Sequence, residues 1–203
     1  MSVERRKGGS RLRRLWYPDR PSAGGRLLGG LLAPFSWTYR AALRLKVAGI
    51  EPRGVDRPVV SIGNLTVGGN GKTPLVIEVA RWLISRGQRV AVVSRGYGRA
   101  TRGVLVANAP GDEPGKVAAV GDEPVLIARR CPRAAVVVGE DRFRAAELAI
   151  AEFDAQVILC DDAFQHRGLE RDLDIVAVHA GRGFGNGRLL PAGPLREPLQ
   201  ALG

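Results

Sequence analysis

An apolar run, Pro58–Ile62, passes through Gly63-Asn64-Leu65 into Thr66-Val67-Gly68-Gly69-Asn70-Gly71-Lys72-Thr73, and a helix-compatible pattern follows from Lys72 to Arg86. Strand, glycine-rich loop and helix in that order constrain this chain more than any other feature. Glycines permit a turn in which backbone N–H groups face a common centre, and the following helix adds the positive end of its dipole. Phosphate is the group such a centre attracts. Lys72 is then placed to reach the outer phosphates of a nucleotide, and the Thr73 hydroxyl to sit on Mg²⁺. The loop departs from the general GxxxxGK[ST] pattern at its first position, Thr66. Pro74 fits as an early helical residue, where a missing N–H costs little.

The body around this loop reads as an α/β domain over residues 58–203. Strands are expected at Pro58–Ile62, Arg89–Ser94, Gly103–Ala107, Ala134–Val138, Gln156–Cys160 and Asp174–Val178, and helices at Lys72–Arg86, Glu123–Arg130 and Arg142–Glu152. The near-continuous Val/Ile runs imply a mostly parallel sheet with helices on both faces. Val157-Ile-Leu-Cys160 ends in Asp161-Asp162, where an aspartate of a nucleotide site holds Mg²⁺ directly or through water. Paired aspartates also cap turns, and both readings stay open from the residues alone.

Charge separates the chain into two parts. Residues 1–57 carry 13 Lys/Arg against 4 Asp/Glu, whereas the remaining 146 carry 18 against 16. A basic leader seeks a polyanion, either nucleic acid or an anionic lipid surface. Residues 1–20 are expected as a flexible basic arm and residues 21–57 as an amphipathic helical segment. In that segment Leu27, Leu28, Leu31, Leu32, Phe35, Tyr39 and Leu43 recur at helical spacing. Gly29-Gly30 and Pro34 predict a kink or two short helices. Its charge-free stretch runs from Leu27 to Tyr39, 13 residues, short of the roughly 20 that cross a bilayer. The helix either packs on the following domain or lies in a membrane interface with Trp37, Tyr39 and the leucines inserted. No nucleic-acid recognition module is visible, and none is expected as a partner. Two cysteines, Cys131 and Cys160, exclude a disulfide scaffold and fit a reducing compartment. No signal peptide is expected.

Polar islands follow the other strands: SRGYGR (94–99), VGDEP (120–124) and DDAFQHR (161–167). Asp122 can act in chemistry or simply cap the helix beginning at Glu123, and His166 can be structural. Together with IGNLTVGGNGKTP (62–74) and FGNGRLLPAGPLREP (184–198), these segments occur in an order that resembles the tetraacyldisaccharide 4′-kinases, the lipid A 4′-kinase family of Gram-negative bacteria. The resemblance covers roughly residues 20–203, and a threonine-first phosphate loop is itself the family's form.

The resemblance implies a P-loop NTPase-like fold and transfer of the ATP γ-phosphate to the 4′-hydroxyl of an acylated glucosamine disaccharide 1-phosphate. ATP would be bound by Thr66, Val67, Gly68, Gly69, Asn70, Gly71, Lys72 and Thr73, and Mg²⁺ by Thr73, Asp161 and Asp162. Catalysis is assigned to Lys72 and to Asp122 as base, the latter with a histidine from a C-terminal part of the family's chain. Arg95, Tyr97, His166 and Arg196 match positions that line the substrate or phosphate region. The implied location is peripheral, at the cytoplasmic face of the bacterial inner membrane, with an anionic membrane surface as partner. The family has a second, smaller α/β domain beyond LREP. The chain is therefore expected to lack half the cleft, which a missing domain or a separate chain would complete; the alternative is an inactive ATP- and membrane-binding remnant. Two departures stand out: Ala163 where glycine is usual, expected to restrict the backbone, and His179 where aspartate is expected.

Overall fold

The computed structural model describes residues 14–18 and 23–202; of the arm expected over residues 1–20, all but Arg14–Pro18 lies outside the described residues. The chain divides into two compact units. The first gathers Met1–Gly49, Leu65–Asn70 and Val178–Gly203, and the second Ile50–Asn64 and Gly71–Ala177. The helical segment shares its unit with residues from the loop and the C-terminal region.

In the first unit, helix α1 spans Ala23–Val47 without interruption, with Pro34 inside it. The expected pair of short helices is one helix. Pro34 removes a single backbone donor, and the leucines and alanines on both sides are strong helix formers. Its packed face is not the leucine stripe. Gly29 and Ser36 are buried: Ser36 Oγ donates to the Leu189 carbonyl at 3.0 Å, and a Cβ at Gly29 would strike the Arg188 guanidinium. Tyr39 donates its hydroxyl to the Arg196 carbonyl at 3.1 Å, and burial pushes its phenol up. Leu27, Leu31, Phe35 and Trp37 are 61–71% exposed. Arg14–Pro18 also depart from a flexible arm: Leu15 is buried, and the Trp16 indole N–H donates to the Pro191 carbonyl at 3.0 Å. Their apolar side chains, not their charges, decide that docking.

The second unit is built on six strands: β1 (Val59–Gly63), β2 (Val90–Ser94), β3 (Leu105–Asn108), β4 (Ala135–Val138), β5 (Val157–Asp161) and β6 (Leu173–Val176). Their spatial order is β3-β4-β2-β5-β1-β6. All neighbours are parallel except β3 and β4, which are antiparallel. Helices α2 (Lys72–Ser85), α3 (Val117–Val120), α4 (Asp122–Arg130) and α5 (Arg142–Phe153) complete it. The period-two alternation of the strands sorts side chains between two cores. Ile62, Val92, Val136 and Leu159 pack with Val76, Ala80 and Ile127 of α2 and α4. Ala91, Val93, Val137 and Ile158 pack with Ala145, Ala146 and Ala149 of α5, on the opposite face.

Element boundaries differ from expectation mostly by a residue or two. Strand β3 starts at Leu105 instead of Gly103 because Gly103 sits at φ 80°, outside the extended region. Helix α3 has no counterpart in the sequence reading: four residues are too few to show a period. The architecture is a P-loop NTPase-like α/β fold, with a mostly parallel sheet covered on both faces.

Candidate functional site

Strands β2, β5 and β1 are consecutive in the sheet, and their C-terminal ends deliver Arg95–Arg99, Asp161–Arg167 and Gly63–Asn64 to one edge. In open α/β sheets this is the edge where ligand-binding loops collect. Helix α2 begins there too. Gly71 precedes it at φ 78°, ψ 23°, with no side-chain cap and no acidic residue in the first turn. The first N–H groups of α2 are therefore not taken by a capping side chain and face outward with the dipole's positive end.

A charged cluster lies beside this helix start. Lys72 Nζ donates to Asn64 Oδ1 at 3.2 Å and stands 3.6 Å from Asp162 Oδ1. Asp161 closes β5 with only 1% of its surface exposed. Neither of its carboxylate oxygens has a hydrogen-bond partner among the described residues. Burial, then the charges of Glu123 and Asp162, push Asp161 up to about 7, against the pull of Lys72 and Arg142. Burial also raises Glu123, with Lys72 opposing and Asp122 and Asp162 reinforcing it. Arg142 is buried; its Nη1 donates to the carbonyls of Gly139 at 2.9 Å and Glu140 at 3.1 Å. Its charge is felt at Asp161, and burial lowers its own pKa.

Close backbone approach holds the loops. A Cβ at Gly63 would lie 2.6 Å from Phe164 Cβ and 3.0 Å from its backbone nitrogen. The Asp162 N–H donates to the Ile62 carbonyl at 2.9 Å. At Gly121, φ 97°, an added Cβ would come within 3.0 Å of the Tyr97 carbonyl, so VGDEP rests directly on SRGYGR. Asp162 takes the left-handed conformation at φ 50°, and Ala163 does not. The restriction expected at Ala163 is therefore absent: its methyl is simply buried.

The structure brings Lys72, Asp161, Asp162 and the start of α2, with Thr73, to one place. Asp122 is not the cap of α4. It is the first helical residue, with Gly121 in the cap position, and its Oδ1 accepts the Glu123 N–H at 3.0 Å. Arg95 is exposed, yet its charge reaches Arg142. Tyr97 is 79% exposed. His166 is half-buried in the loop after β5. His179, in the first unit, accepts the Gly181 N–H on Nδ1 at 3.1 Å.

The remaining loop residues and Arg196 belong to the first unit. There Asn70 Nδ2 donates to Thr66 Oγ1 at 2.6 Å, and the Arg196 N–H donates to the Leu65 carbonyl at 2.7 Å. The Val67 N–H donates to the Pro194 carbonyl at 2.8 Å. Gly68, at φ 115°, turns the chain at that point. Asn64, Glu123 and Arg142 were not singled out from sequence; only tertiary placement gives them a role.

The donors fit Mg²⁺ better than a metal that demands an all-protein cage. Among the described residues no three His, Cys, Asp or Glu side chains group together as ligands. Mg²⁺ commonly takes one or two carboxylates and completes its shell with phosphate oxygens and water, and Asp161 presents two unpartnered oxygens. No helix among the described residues is long and apolar enough to cross a membrane.

Known proteins resemble the chain over most of its length. The family profile described as tetraacyldisaccharide-1-P 4′-kinase, LpxK, matches residues 28–203. A tetraacyldisaccharide 4′-kinase of Anaeromyxobacter sp. (strain K) is 46% identical over 199 residues, covering 95% of this chain and 52% of the relative. One from Geobacter sulfurreducens is 45% identical over 196 residues, covering 94% and 56%. The chain thus spans about half the length of the curated relatives it matches. Among solved structures, the "apo" form of LpxK from Aquifex aeolicus in complex with ATP superimposes with a TM-score of 0.76 at 38% identity, covering 86% of this chain and 56% of that one.

Proposed function

From the premise that the chain belongs to the tetraacyldisaccharide-1-P 4′-kinase family, we propose that it handles ATP for phosphoryl transfer to the 4′-hydroxyl of a tetraacyldisaccharide 1-phosphate, in lipid A biosynthesis. The observation that carries this reading is Asp161: a buried carboxylate with no hydrogen-bond partner among the described residues, near the lysine that opens an uncapped helix. A buried carboxylate without such a partner is costly, and a divalent cation held there would relieve that cost.

In this reading the start of α2 binds the phosphates, Thr66 to Thr73 being assigned to ATP by family resemblance, and Lys72 leaves Asn64 and Asp162 to meet the outer ones. Thr73 and Asp161, with Asp162 near, would hold Mg²⁺, which offsets phosphate charge when bound. Arg142 adds a buried positive charge fixed by two carbonyls, so little reorganisation is needed as charge develops. Asp122 accepts the proton of the 4′-hydroxyl as that oxygen bonds to the γ-phosphorus and the bond to the β–γ bridging oxygen breaks, releasing ADP. Arg95, Tyr97, His166 and Arg196 are assigned to the substrate by family resemblance. The exposed Leu27, Leu31, Phe35 and Trp37 of α1, followed by Arg40, Arg44 and Lys46, suit an anionic membrane surface. We place the protein there, at the cytoplasmic face of the inner membrane, where ATP and the lipid substrate meet.

The test is γ-phosphate transfer from labelled ATP to the acylated disaccharide 1-phosphate in detergent micelles, with and without a C-terminal domain added from a relative. Lys72→Ala is expected to lower transfer by at least about 100-fold in whichever sample is active. Transfer only with the added domain would assign residues 1–203 the nucleotide-handling part. Silence in a folded chain carrying the added domain would reject the kinase reading.

A further inference from the structure

The connection from β5 to β6, residues 162–172, contains no helix, so its carbonyls must find partners elsewhere. The rear half is tied to neighbouring backbone: Arg53 N–H to the Gly168 carbonyl at 3.2 Å, and Glu170 N–H to the Arg53 carbonyl at 2.9 Å. In the front half the His166 N–H donates to the Ala163 carbonyl at 2.8 Å, the Gln165 amide donates to the Asn64 carbonyl at 2.9 Å, and one further side chain gathers three carbonyls. Arg171 Nη1 donates to the carbonyls of Ala163 at 3.0 Å, Phe164 at 3.1 Å and His166 at 3.3 Å. Its Nη2 reaches Asp174 Oδ2 at 3.3 Å, and the side chain is only 11% exposed. One guanidinium therefore spans from β6 to the segment that directly follows Asp161 and Asp162.

We propose that Arg171 is a positioning residue for the metal- and phosphate-handling carboxylates. By holding the carbonyls of residues 163, 164 and 166 together it fixes the left-handed turn at Asp162, and so the directions in which Asp161 and Asp162 project. Only a planar group with several divergent donors does this; a lysine ammonium at the same place cannot span the carbonyls and Asp174 together. Outer partners that orient metal-binding carboxylates typically change metal affinity by 10–100-fold when removed. The inference rests on the reading that Asp161 belongs to a Mg–nucleotide site.

The experiment measures binding of a fluorescent ATP analogue to the full chain, first in EDTA and then as Mg²⁺ is titrated in. Arg171→Ala is expected to raise the Mg²⁺ midpoint about tenfold while affinity in EDTA stays within about twofold. Arg171→Lys should recover part of the loss. Arg171 lines a cavity of about 380 Å³, so added methylguanidinium should restore part of the midpoint in Arg171→Ala but not in Arg171→Lys. If Arg171→Ala does not fold, Arg171→Lys and Asp174→Asn carry the test, each expected to shift the midpoint in the same direction by less. Unmoved midpoints in folded variants overturn the proposal, as does an equal loss of affinity with and without Mg²⁺. An unaltered chain whose ATP binding ignores Mg²⁺ overturns the reading of the site itself, which is a different result from variants that match a responsive parent.

Discussion

The C-terminal edge of the sheet and helix α1 break the rule of apolar inside and polar outside in opposite directions. At the edge, Asp161 buries a carboxylate and leaves both oxygens without a hydrogen bond. Along α1, Leu27, Leu31, Phe35 and Trp37 stand in the open. Neither arrangement is what stability alone selects, since the first forfeits solvation and the second forfeits burial. Each makes sense if completed from outside, one by a cation and phosphate, the other by an apolar surface. The difference lies in where the chain keeps its strain: at the edge inside a rigid core, on the helix at a face that costs the fold almost nothing.

The largest gain in stability should come from removing the buried charge. The folded chain holds the Asp161 proton up to about pH 7, whereas the unfolded chain releases it near 3.9. Below about pH 4 both states are protonated and Asp161 carries no penalty. Between those values the unfolded state binds fewer protons, so stability falls as pH rises, and above about 7 the loss is complete. Asp161→Asn should therefore be indistinguishable from the parent near pH 4. It should be more stable by up to about 4 kcal/mol above pH 7, read by denaturant melts across the range. Mg²⁺ with ATP should raise the melting temperature of the parent and not that of Asp161→Asn. A variant no more stable at about pH 8 would show that the carboxylate is not strained, and the contrast with α1 would collapse.

What the sequence discloses follows the same division. The four interior strands were legible because they are buried on both faces, so Val90-Ala-Val-Val and Ala135-Val-Val-Val read as unbroken apolar runs. The loop ending in Lys72-Thr73 was legible because its chemistry is local: glycines, a lysine and a helix start within eight residues. Asn64, Glu123, Arg142 and Arg171 were not, because each acts on residues brought near only by folding. Arg171 sits five to eight residues beyond the carbonyls it holds, with no periodic signal to link them. Helix α1 differs in a third way. Its leucine stripe at helical spacing left packing and membrane contact both open, and the close contact falls instead at Gly29 and Ser36, where a larger side chain would meet the Arg188 guanidinium or displace the bond to the Leu189 carbonyl.

A smaller effect tests the open face. Replacing Leu27, Leu31 and Phe35 together with serine removes three apolar side chains that a membrane interface would bury. Each is worth about 1.5–3 kcal/mol on full transfer, and an interfacial helix realises only part of that. Sedimentation with vesicles containing anionic lipid should show at least about tenfold weaker partition for the triple variant. An equal loss in Arg40→Ala with Arg44→Ala would assign the attraction to charge, and no loss in either would leave α1 without a membrane role.

The smallest effect is the most direct measure of the contrast. Leu31 is 65% exposed, while Leu159 of β5 is fully buried. Leu159→Ala should cost about 2–5 kcal/mol, because it removes transfer energy and leaves a cavity between α2 and the sheet. Leu31→Ala removes the same atoms from a side chain that gains little from folding, and should move stability by less than about 0.5 kcal/mol. Alanine's better helix propensity offsets part of even that. A loss at Leu31 approaching that at Leu159 would mean that the leucine stripe is covered in the folded protein in solution. The face assigned to an outside surface would then belong to the fold's own packing, and the opposition between edge and helix would reduce to one strained carboxylate.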